Sequence, residues 1–141
     1  MVRGQALDIA AETAPAPLTL AEIEALQAGK TGALIRWSGE AGAILAGADP
    51  APLGRYAAAI GLGFQIADAI LDVAGDAGAA GKRLGKDAAA GKATFVSLLG
   101  MQGARRRAAD QVDAACAALD VYGPAAGPLR ACARYILSRD R

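Results

Sequence analysis

The sequence predicts an all-α protein, and three features lead to this fold class. No segment alternates polar and apolar residues with a period of two for long enough to form a sheet. The long apolar segments instead repeat with helical spacing, as at Leu62, Ile66 and Ile70. Hydrophobic residues make up 54% of the 141 residues but aromatic residues only 4%, and many are alanines, which favours closely packed helices with thin cores. We therefore expect a helical bundle that is one small domain or part of a larger one.

Proline and capping residues define the first two helices. The first is short, covers residues 4–12 and ends at a proline linker over residues 15–17. Thr19 is a good N-cap, and Glu22 three residues later completes a capping box. A second helix is therefore expected from this box to about residue 27.

The later helices are separated by glycine and proline. They are predicted over residues 30–46, 52–75, 93–99, 103–121 and 128–138. Gly47 and the turn at Asp49 and Pro50 end the third helix, and Gly100 and Gly123 break the chain further on. The sequence shows neither an internal repeat nor a low-complexity tail.

Two carboxylates stand one helical turn apart in the most apolar of these helices. Gln65, Asp68 and Asp72 share one stripe, while the other faces of the helix are apolar. A buried, unpaired carboxylate is costly, so we expect a positive partner between the acids. The chain has no histidine, and a hard divalent cation such as Mg²⁺, with phosphate completing its shell, is the natural candidate. Lysine is the alternative counter-ion.

A segment rich in glycine and lysine follows, over residues 75–92. Its glycines let the backbone approach a ligand, and Lys82, Arg83, Lys86 and Lys92 place positive charge beside the acids. An acidic helix followed by a basic loop indicates Mg²⁺-diphosphate chemistry. The alternative is a solvated loop whose lysines keep an alanine-rich protein soluble.

Charge and cysteine content argue against several classes of protein. The net charge of +1 gives neither a nucleic-acid footprint nor a membrane-surface patch, so we expect neither partner. Cys116 and Cys132 lack metal-type spacing and are expected to be reduced, small core residues. The longest apolar run is interrupted by polar residues and the N-terminus lacks a signal-peptide pattern, which favours a soluble, cytoplasmic protein that is not exported.

Two nucleotide-binding patterns fail on closer reading. Gly29-Lys30-Thr31 resembles the end of a phosphate-binding loop, but Glu24 occupies the position of the required glycine and no strand precedes it. Gly61 and Gly63 begin a dinucleotide pattern without its third glycine or a βαβ unit. Close helix packing explains the two glycines better.

Several motifs, taken together and in order, carry a resemblance to a known family. They are Gly4-Gln5-Ala6-Leu7-Asp8, Lys30-Thr31-Gly32-Ala33-Leu34-Ile35, Phe64-Gln65-Ile66-Ala67-Asp68-Ala69-Ile70-Leu71-Asp72, Gly81-Lys82-Arg83 and Gly91-Lys92. The chain resembles the C-terminal half of a trans-isoprenyl diphosphate synthase of the farnesyl diphosphate synthase type. Its central block is similar to the second aspartate-rich motif of that family.

The resemblance implies the C-terminal part of an isoprenoid synthase fold, an all-α bundle around a cavity. In that cavity an allylic diphosphate ionises and isopentenyl diphosphate attacks the carbocation. Carried over by position, Asp68 would ligate Mg²⁺ and Asp72 would hold the water shell of the metal. The other implied contacts with the allylic substrate are Lys30, Lys82 and Lys92 on the diphosphate, Thr31 and Gln65 as polar neighbours, and Phe64 as a cavity wall.

Other readings of individual residues stay open. Gln5 and Asp8 brace the first helix or lie behind the metals, and Lys30 and Thr31 either bind diphosphate or simply start a helix, with Thr31 as its cap. Lys92 binds diphosphate or faces solvent. Trp37 is expected in the core or an interface, and Arg139 and Arg141 are expected to be solvated charges.

Two departures from the family pattern bear on activity. Ala69 stands where the family has a second acid, so metal affinity should fall. The motifs of the first aspartate-rich helix are not in this sequence, so the chain would hold only half an active site, be inactive alone, and associate with itself or with the missing N-terminal half or a partner subunit. The main alternative is a non-catalytic helical subunit or regulatory relic of a prenyl synthase. An unrelated alanine-rich helical scaffold is the third possibility.

Overall fold

The structure is a computed structural model that describes residues 1–78 and 93–139, and within these residues every regular element is helical. The α-helices are α1 (Val2–Ala11), α2 (Leu20–Gly29), α3 (Thr31–Leu45), α4 (Ala51–Gly78), α5 (Phe95–Ala118) and α6 (Gly127–Ser138), and a 3₁₀ segment (Asp120–Ala126) joins α5 to α6. Helix α4 lies at the centre and packs most extensively on α5 and α3. The predicted all-α bundle is confirmed for this part of the chain.

Helices α1 and α2 meet through a glycine contact. The Cα of Gly4 lies so close to the end of α2 that a Cβ there would be 2.3 Å from the carbonyl carbon of Gly29. The capping box predicted at the start of α2 is present: Glu22 N donates to Thr19 Oγ1 at 3.4 Å, and Thr19 N donates to Glu22 Oε2 at 2.8 Å. Glu22 therefore has a lowered pKa, because the backbone and hydroxyl of Thr19 both donate to its carboxylate.

Small residues let α3 and α4 approach each other closely. A Cβ on Gly39 would lie 2.7 Å from the Cβ of Ala57, and one on Gly61 would lie 3.5 Å from the Cα of Gly32. These contacts agree with the interpretation of Gly61 as a packing residue. At the α3–α4 turn, Gly47 has a positive φ of 65°, and Asp49 Oδ1 accepts a hydrogen bond from Ala51 N at 2.9 Å, which starts α4.

The long helix α5 is interrupted at Gly100, as the sequence predicts. Its backbone there has φ 68° and ψ 164°, outside the helical region. The end of α5 was predicted too late, at residue 121, whereas the helix stops at Ala118 and a 3₁₀ segment follows. Arg130 explains the stop because its guanidinium donates to the carbonyl oxygens of Leu119 at 3.1 Å and Gly123 at 2.6 Å.

The core consists of two clusters on opposite ends of α4. The first contains Tyr56, Ala57, Ala59, Val112, Ala115, Leu119, Ala126 and Ala133, and the second contains Ile23, Ile66, Phe95, Ala104 and Ala108. Alanines are numerous in both clusters, which agrees with the thin core expected from composition.

The prediction that Cys132 is a core residue is wrong, and the core is excluded as one of the two places expected for Trp37. Trp37 is 67% exposed and is not in the core. Cys132 is also exposed, while Cys116 is half-buried against the first cluster, and both thiols are free, as predicted. Trp37 lies with Leu34, Ile44 and Leu45 among the exposed apolar side chains of α3, so its expected role in an interface stays a prediction.

The residues Ala51–Gly75 of α4 are long and apolar enough to cross a membrane, judged by length and composition alone. A central helix of a soluble bundle meets the same criterion. In this structure the helix packs between α3 and α5 and carries the two aspartates, which is the arrangement of a core helix.

Candidate functional site

A cavity of about 130 Å³ lies where α1, α2, α4 and the start of α5 meet. Its polar lining residues are Asp8, Gln27, Gln65, Asp68, Asp72 and Thr94, and its apolar ones are Leu18, Ile23, Leu26, Ala69, Ala93 and Phe95. The structure thus brings the predicted aspartate pair and Gln65 to one cavity. It adds Asp8 from α1, which belongs to the first of the quoted motifs.

Helical spacing positions the acids. Gln65, Asp68 and Asp72 follow one another along one face of α4, and the turns between them are held by buried Ile66 and Ala67 on the core side. The side chain of Asp68 is 43% exposed and Asp72 is exposed, so solvent and ligands can reach both carboxylates.

Within residues 1–78 and 93–139, the positive partner of Asp68 is Arg139. The guanidinium Nη2 of Arg139 forms an ion pair with Asp68 Oδ1 and donates to the carbonyl oxygen of Phe64 at 3.3 Å. The same guanidinium lies over the ring of Phe64, 4.0 Å from its centroid. Only 10% of the Arg139 side chain is exposed. The prediction that Arg139 is a solvated charge is therefore wrong, and Arg141 lies outside the described residues.

A second ion pair fixes the cavity on its α1 side. Lys30 Nζ lies 2.5 Å from Asp8 Oδ2, with both side chains about three-quarters buried. Lys30 is the residue between α2 and α3. The contact of Gly4 with the end of α2 sets the distance between α1 and α2. Asp8 thus braces the α1–α2 junction and lines the cavity, while its expected role behind the metals stays a prediction.

The other predicted residues are placed as follows. Thr31 is the first residue of α3, and since no side chain caps that helix, its expected role as a cap is wrong. Gln5 is exposed and does not line the cavity. Phe64 lies beneath Arg139 and is not among the residues that line the 130 Å³ cavity. Lys82 and Lys92, both predicted diphosphate contacts, lie outside the described residues.

The donor set can be compared with what a magnesium ion requires. Within residues 1–78 and 93–139 there is no group of three or more histidine, cysteine, aspartate or glutamate side chains that could hold a metal. Magnesium in phosphate sites is instead bound through one or two carboxylates, with substrate phosphates and water completing six oxygens. Asp68 and Asp72 on one cavity wall fit that requirement, provided that a diphosphate supplies the remaining oxygens.

Sequence reasoning missed Arg139, Gln27 and Thr94 as site residues. Thr94 is the N-cap of α5, where its side chain accepts from Ser97 N at 3.1 Å, and the capping pattern of Thr94 and Ser97 is visible in the sequence. The sequence does not reveal that Thr94 lines the cavity, because this depends on how α5 packs against α4. Arg139 is 71 residues from Asp68, and no local pattern connects them.

Comparison with known proteins identifies the family of the chain. The sequence profile described as polyprenyl synthetase matches residues 1–120. The chain is 42% identical to a farnesyl diphosphate synthase of Escherichia coli (strain K12) over 100% of its own length and 49% of the relative. It is 38% identical to geranylgeranyl pyrophosphate synthase 9, chloroplastic, of Arabidopsis thaliana over 99% of its own length and 40% of that protein.

Solved structures give the same result for the fold. A crystal structure of an FPP/GFPP synthase from Zymomonas mobilis superposes with a TM-score of 0.83 at 47% identity, over 96% of this chain and 45% of that one. A putative farnesyl-diphosphate synthase from Marinomonas sp. MED121 gives a TM-score of 0.78 at 34% identity, over 97% and 46%. The chain spans about half the length of the relatives it matches. The profile match over most of the chain shows that it belongs to the polyprenyl synthetase family and has the all-helical isoprenoid synthase fold.

Proposed function

We propose that this chain supplies one half of a prenyl transfer site, in which isopentenyl diphosphate condenses head to tail with an allylic diphosphate. The observation that carries the proposal is the cavity shared by Asp68 and Asp72 with the polar residues Asp8 and Gln65. Membership in the polyprenyl synthetase family supports prenyl transfer in general.

In this proposal the two aspartates hold Mg²⁺ together with the allylic diphosphate. When bound, the metal stabilises the negative charge that develops on the leaving diphosphate. Lys30, Lys82 and Lys92 contact that diphosphate, and Thr31 and Gln65 are its polar neighbours. Support for Lys30 comes from its ion pair with Asp8, which keeps its ammonium group beside a residue of the cavity wall.

The apolar part of the site serves a second purpose in the proposal. An allylic carbocation is destroyed by water, so the reacting carbon needs a dry wall. Leu26, Ile23 and Phe95 provide apolar lining next to the acids. Phe64, whose ring lies under the guanidinium of Arg139, would extend this wall.

We also propose that these 141 residues correspond to the C-terminal portion of the relatives and are inactive alone. The order of the quoted motifs supports the placement, and a first aspartate-rich motif is not in the sequence. The expected result is no Mg²⁺-dependent product from isopentenyl diphosphate with dimethylallyl or geranyl diphosphate. Product from a sample whose intact mass matches this chain alone would overturn the proposal.

A second expectation is that the chain associates with itself or with a segment that completes the bundle. It rests on apolar side chains that α3 exposes, among them Leu34, Trp37 and Leu45, of which Leu45 is 88% exposed. Light scattering should show an oligomer or a complex with the complementary segment. A compact monomer that unfolds cooperatively would contradict it. We place this association in the cytoplasm.

The experiment that tests the half-site measures binding of Mg²⁺ and inorganic pyrophosphate to the purified chain by calorimetry. Asp68→Asn should weaken this joint binding by tenfold or more, on the order of what one lost charged metal contact costs. Asp113→Asn is the matched control, because Asp113 is an exposed carboxylate on α5 outside the cavity. Equal binding by the two variants would refute the assignment of the metal to α4.

The alternative function, a non-catalytic helical subunit or regulatory relic of a prenyl synthase, is favoured by Ala69. This residue lines the cavity next to Asp68 but offers no oxygen. Turnover of the assembly that contains the missing segment distinguishes the two functions. If the site is catalytic, Asp68→Ala lowers this turnover on the order of a thousandfold. It leaves turnover unchanged if the chain only supports another subunit.

A further inference from the structure

We infer that the guanidinium of Arg139 competes with Mg²⁺ for the carboxylate of Asp68. Arg139 thereby lowers the affinity of the site for free Mg²⁺. The inference rests on the proposed function of Asp68 as a metal ligand, and it adds a competitor for that ligand from the end of α6.

The first support is the number of contacts that hold the guanidinium in place. Arg139 pairs with Asp68, donates to the Phe64 carbonyl oxygen and stacks on the Phe64 ring. All three contacts converge on one turn of α4. An arginine placed over an aromatic ring and beside a carboxylate uses its planar shape, which a lysine lacks.

The second support is that both cations use the same carboxylate. The guanidinium of Arg139 contacts Asp68 Oδ1. Mg²⁺ binds oxygen at about 2.0–2.1 Å, so a metal on this carboxylate lies within a few ångströms of the guanidinium and is repelled by its positive charge. Removal of the guanidinium therefore removes a competing cation.

The third support is that the observed contact leaves Arg139 incompletely satisfied. Its Nε is buried and has no hydrogen-bond partner among the described residues. A buried donor without an acceptor is costly, so this conformation is less favourable than its contacts with Asp68 and Phe64 alone would make it. The guanidinium of Arg139 is therefore easier to displace than that of Arg130. The guanidinium of Arg130 donates to three acceptors at the end of α5.

The position of Arg139 also separates it from the packed core. It is the residue after the last turn of α6, with extended backbone angles of φ −69° and ψ 144°. Its side chain can therefore change rotamer without breaking the backbone hydrogen bond from its N–H to the carbonyl oxygen of Tyr135 at 3.0 Å.

Calorimetric titration of the purified chain with Mg²⁺ alone, and then with Mg²⁺ and inorganic pyrophosphate, tests the inference. Arg139→Ala should tighten binding of Mg²⁺ alone on the order of tenfold, as expected for removal of a competing interaction of ordinary coupling strength. Arg139→Lys should give an intermediate affinity because it keeps the charge but loses the stacked, forked geometry. Arg134→Ala, an exposed arginine on the same helix, should bind like the wild type.

The double variant with Asp68→Asn and Arg139→Ala gives the decisive comparison. In the Asp68→Asn background, Arg139→Ala should have no further effect on Mg²⁺ binding, because the carboxylate for which the two cations compete is gone. A merely structural role for Arg139 would give the same change in both backgrounds. Circular dichroism tests whether each variant retains its helices. If Arg139→Ala does not fold, the same comparison is made with Arg139→Lys.

The outcomes separate this inference from the proposed function. If Asp68→Asn weakens Mg²⁺-pyrophosphate binding while Arg139→Ala binds free Mg²⁺ no better than the wild type, only the competition by Arg139 is refuted. If Asp68→Asn also leaves binding unchanged, the metal site on α4 fails as well. Weaker Mg²⁺ binding by Arg139→Ala would likewise overturn the inference, because it would mean that Arg139 supports the ligand.

Discussion

Lys30 and Asp8 form an ion pair with 2.5 Å between Nζ and Oδ2, across 22 residues of sequence. One helical turn before Asp8, Gly4 lies against the peptide that joins Gly29 to Lys30. The ion pair and the glycine contact lie on the same face of α1. The geometry of the cavity wall at Asp8 therefore depends on a residue without a side chain.

Gly4→Ala should destabilise the chain and disturb the Asp8–Lys30 pair. A Cβ at Gly4 would lie 2.3 Å from both Gly29 C and Lys30 N, which are backbone atoms that cannot turn away. Overpacking of this kind costs about 1–3 kcal/mol. Urea unfolding followed by circular dichroism measures the loss.

Gly42→Ala is the matched control for this substitution. Gly42 lies inside α3, and nothing lies within 4 Å of the position of its Cβ. Alanine is the better helix former, so this variant should gain about 0.5–1 kcal/mol. Loss of stability in both variants alike would show that the close approach at Gly4 does not carry the effect.

A double-mutant cycle should detect coupling between Asp8 and Lys30. Both side chains are largely buried, at 23% and 31% exposure, so water screens the pair less than a surface pair. With Asp8→Asn and Lys30→Met, we expect a coupling free energy of about 1 kcal/mol that is retained in 0.5 M salt.

Arg36 and Glu40 provide the comparison pair. They lie one turn apart on α3 at 2.8 Å, and the side chain of Arg36 is 63% exposed. Such pairs are worth about 0.3–0.5 kcal/mol and weaken in salt. A larger or more salt-resistant coupling for this pair than for Asp8 and Lys30 would refute the importance assigned to burial.

Local signals predicted the fold well, and non-local contacts mark the limit of what the sequence could predict. The capping box of Thr19 and Glu22 and the break at Gly100 are written in a few adjacent residues, and both were found. The spacing of Asp68 and Asp72 on one helix likewise needed no tertiary information. The end of α5 depends on the hydrogen bond from Arg130 to the carbonyl oxygen of Leu119. No helix-end signal at residue 119 predicts this contact.

The same limit explains the errors at the site. Arg139 was expected in solvent because a basic residue near a chain end usually is, but its position is set by how α6 packs beside α4. Trp37 was expected in the core or an interface, and its 67% exposure excludes the core. In both cases the outcome depended on contacts between distant segments, which residue type alone does not determine.

Tyr56→Phe should lower the free energy of unfolding at pH 7. The variant should also lose less stability than the wild type when the pH rises above 10. Tyr56 Oη donates to the carbonyl oxygen of Leu129 at 2.9 Å, and loss of such a bond costs about 0.5–1.5 kcal/mol. Burial, followed by the nearby thiols of Cys132 and Cys116, raises the pKa of Tyr56 from 10.0 to about 12.

The sign of the pH effect follows from this raised pKa. Below pH 10 the phenol is neutral in both states, and its contribution to stability is fully present. Between pH 10 and 12 the unfolded chain releases the phenolic proton and the folded chain keeps it, so stability falls as pH rises. The difference between wild type and Tyr56→Phe in urea unfolding should therefore shrink from pH 9 to pH 12. Tyr135→Phe, which changes a 65% exposed side chain on α6, should show no such narrowing.

Ala69→Asp is the sharpest test of whether the α4 wall binds metal. Ala69 lines the cavity beside Asp68 and also packs against the second core cluster, which contains Ile66 and Phe95. A third carboxylate there is partly buried and repelled by Asp68 and Asp72, so the free chain should lose about 1–3 kcal/mol of stability. With Mg²⁺ and pyrophosphate the added oxygen faces the metal, and the loss should be largely recovered.

Ala69→Asn separates the two effects because it has the same shape without the charge. It should cost similar packing free energy but gain less from the metal, since neutral amide oxygens bind Mg²⁺ more weakly than carboxylates. The measured quantity is the rise in Tm on addition of Mg²⁺ and pyrophosphate, compared across wild type, Ala69→Asn and Ala69→Asp. The largest rise is expected for Ala69→Asp. If the aspartate variant gains no more than the asparagine variant, residue 69 does not face a metal, and Asp68 is better explained by its ion pair with Arg139.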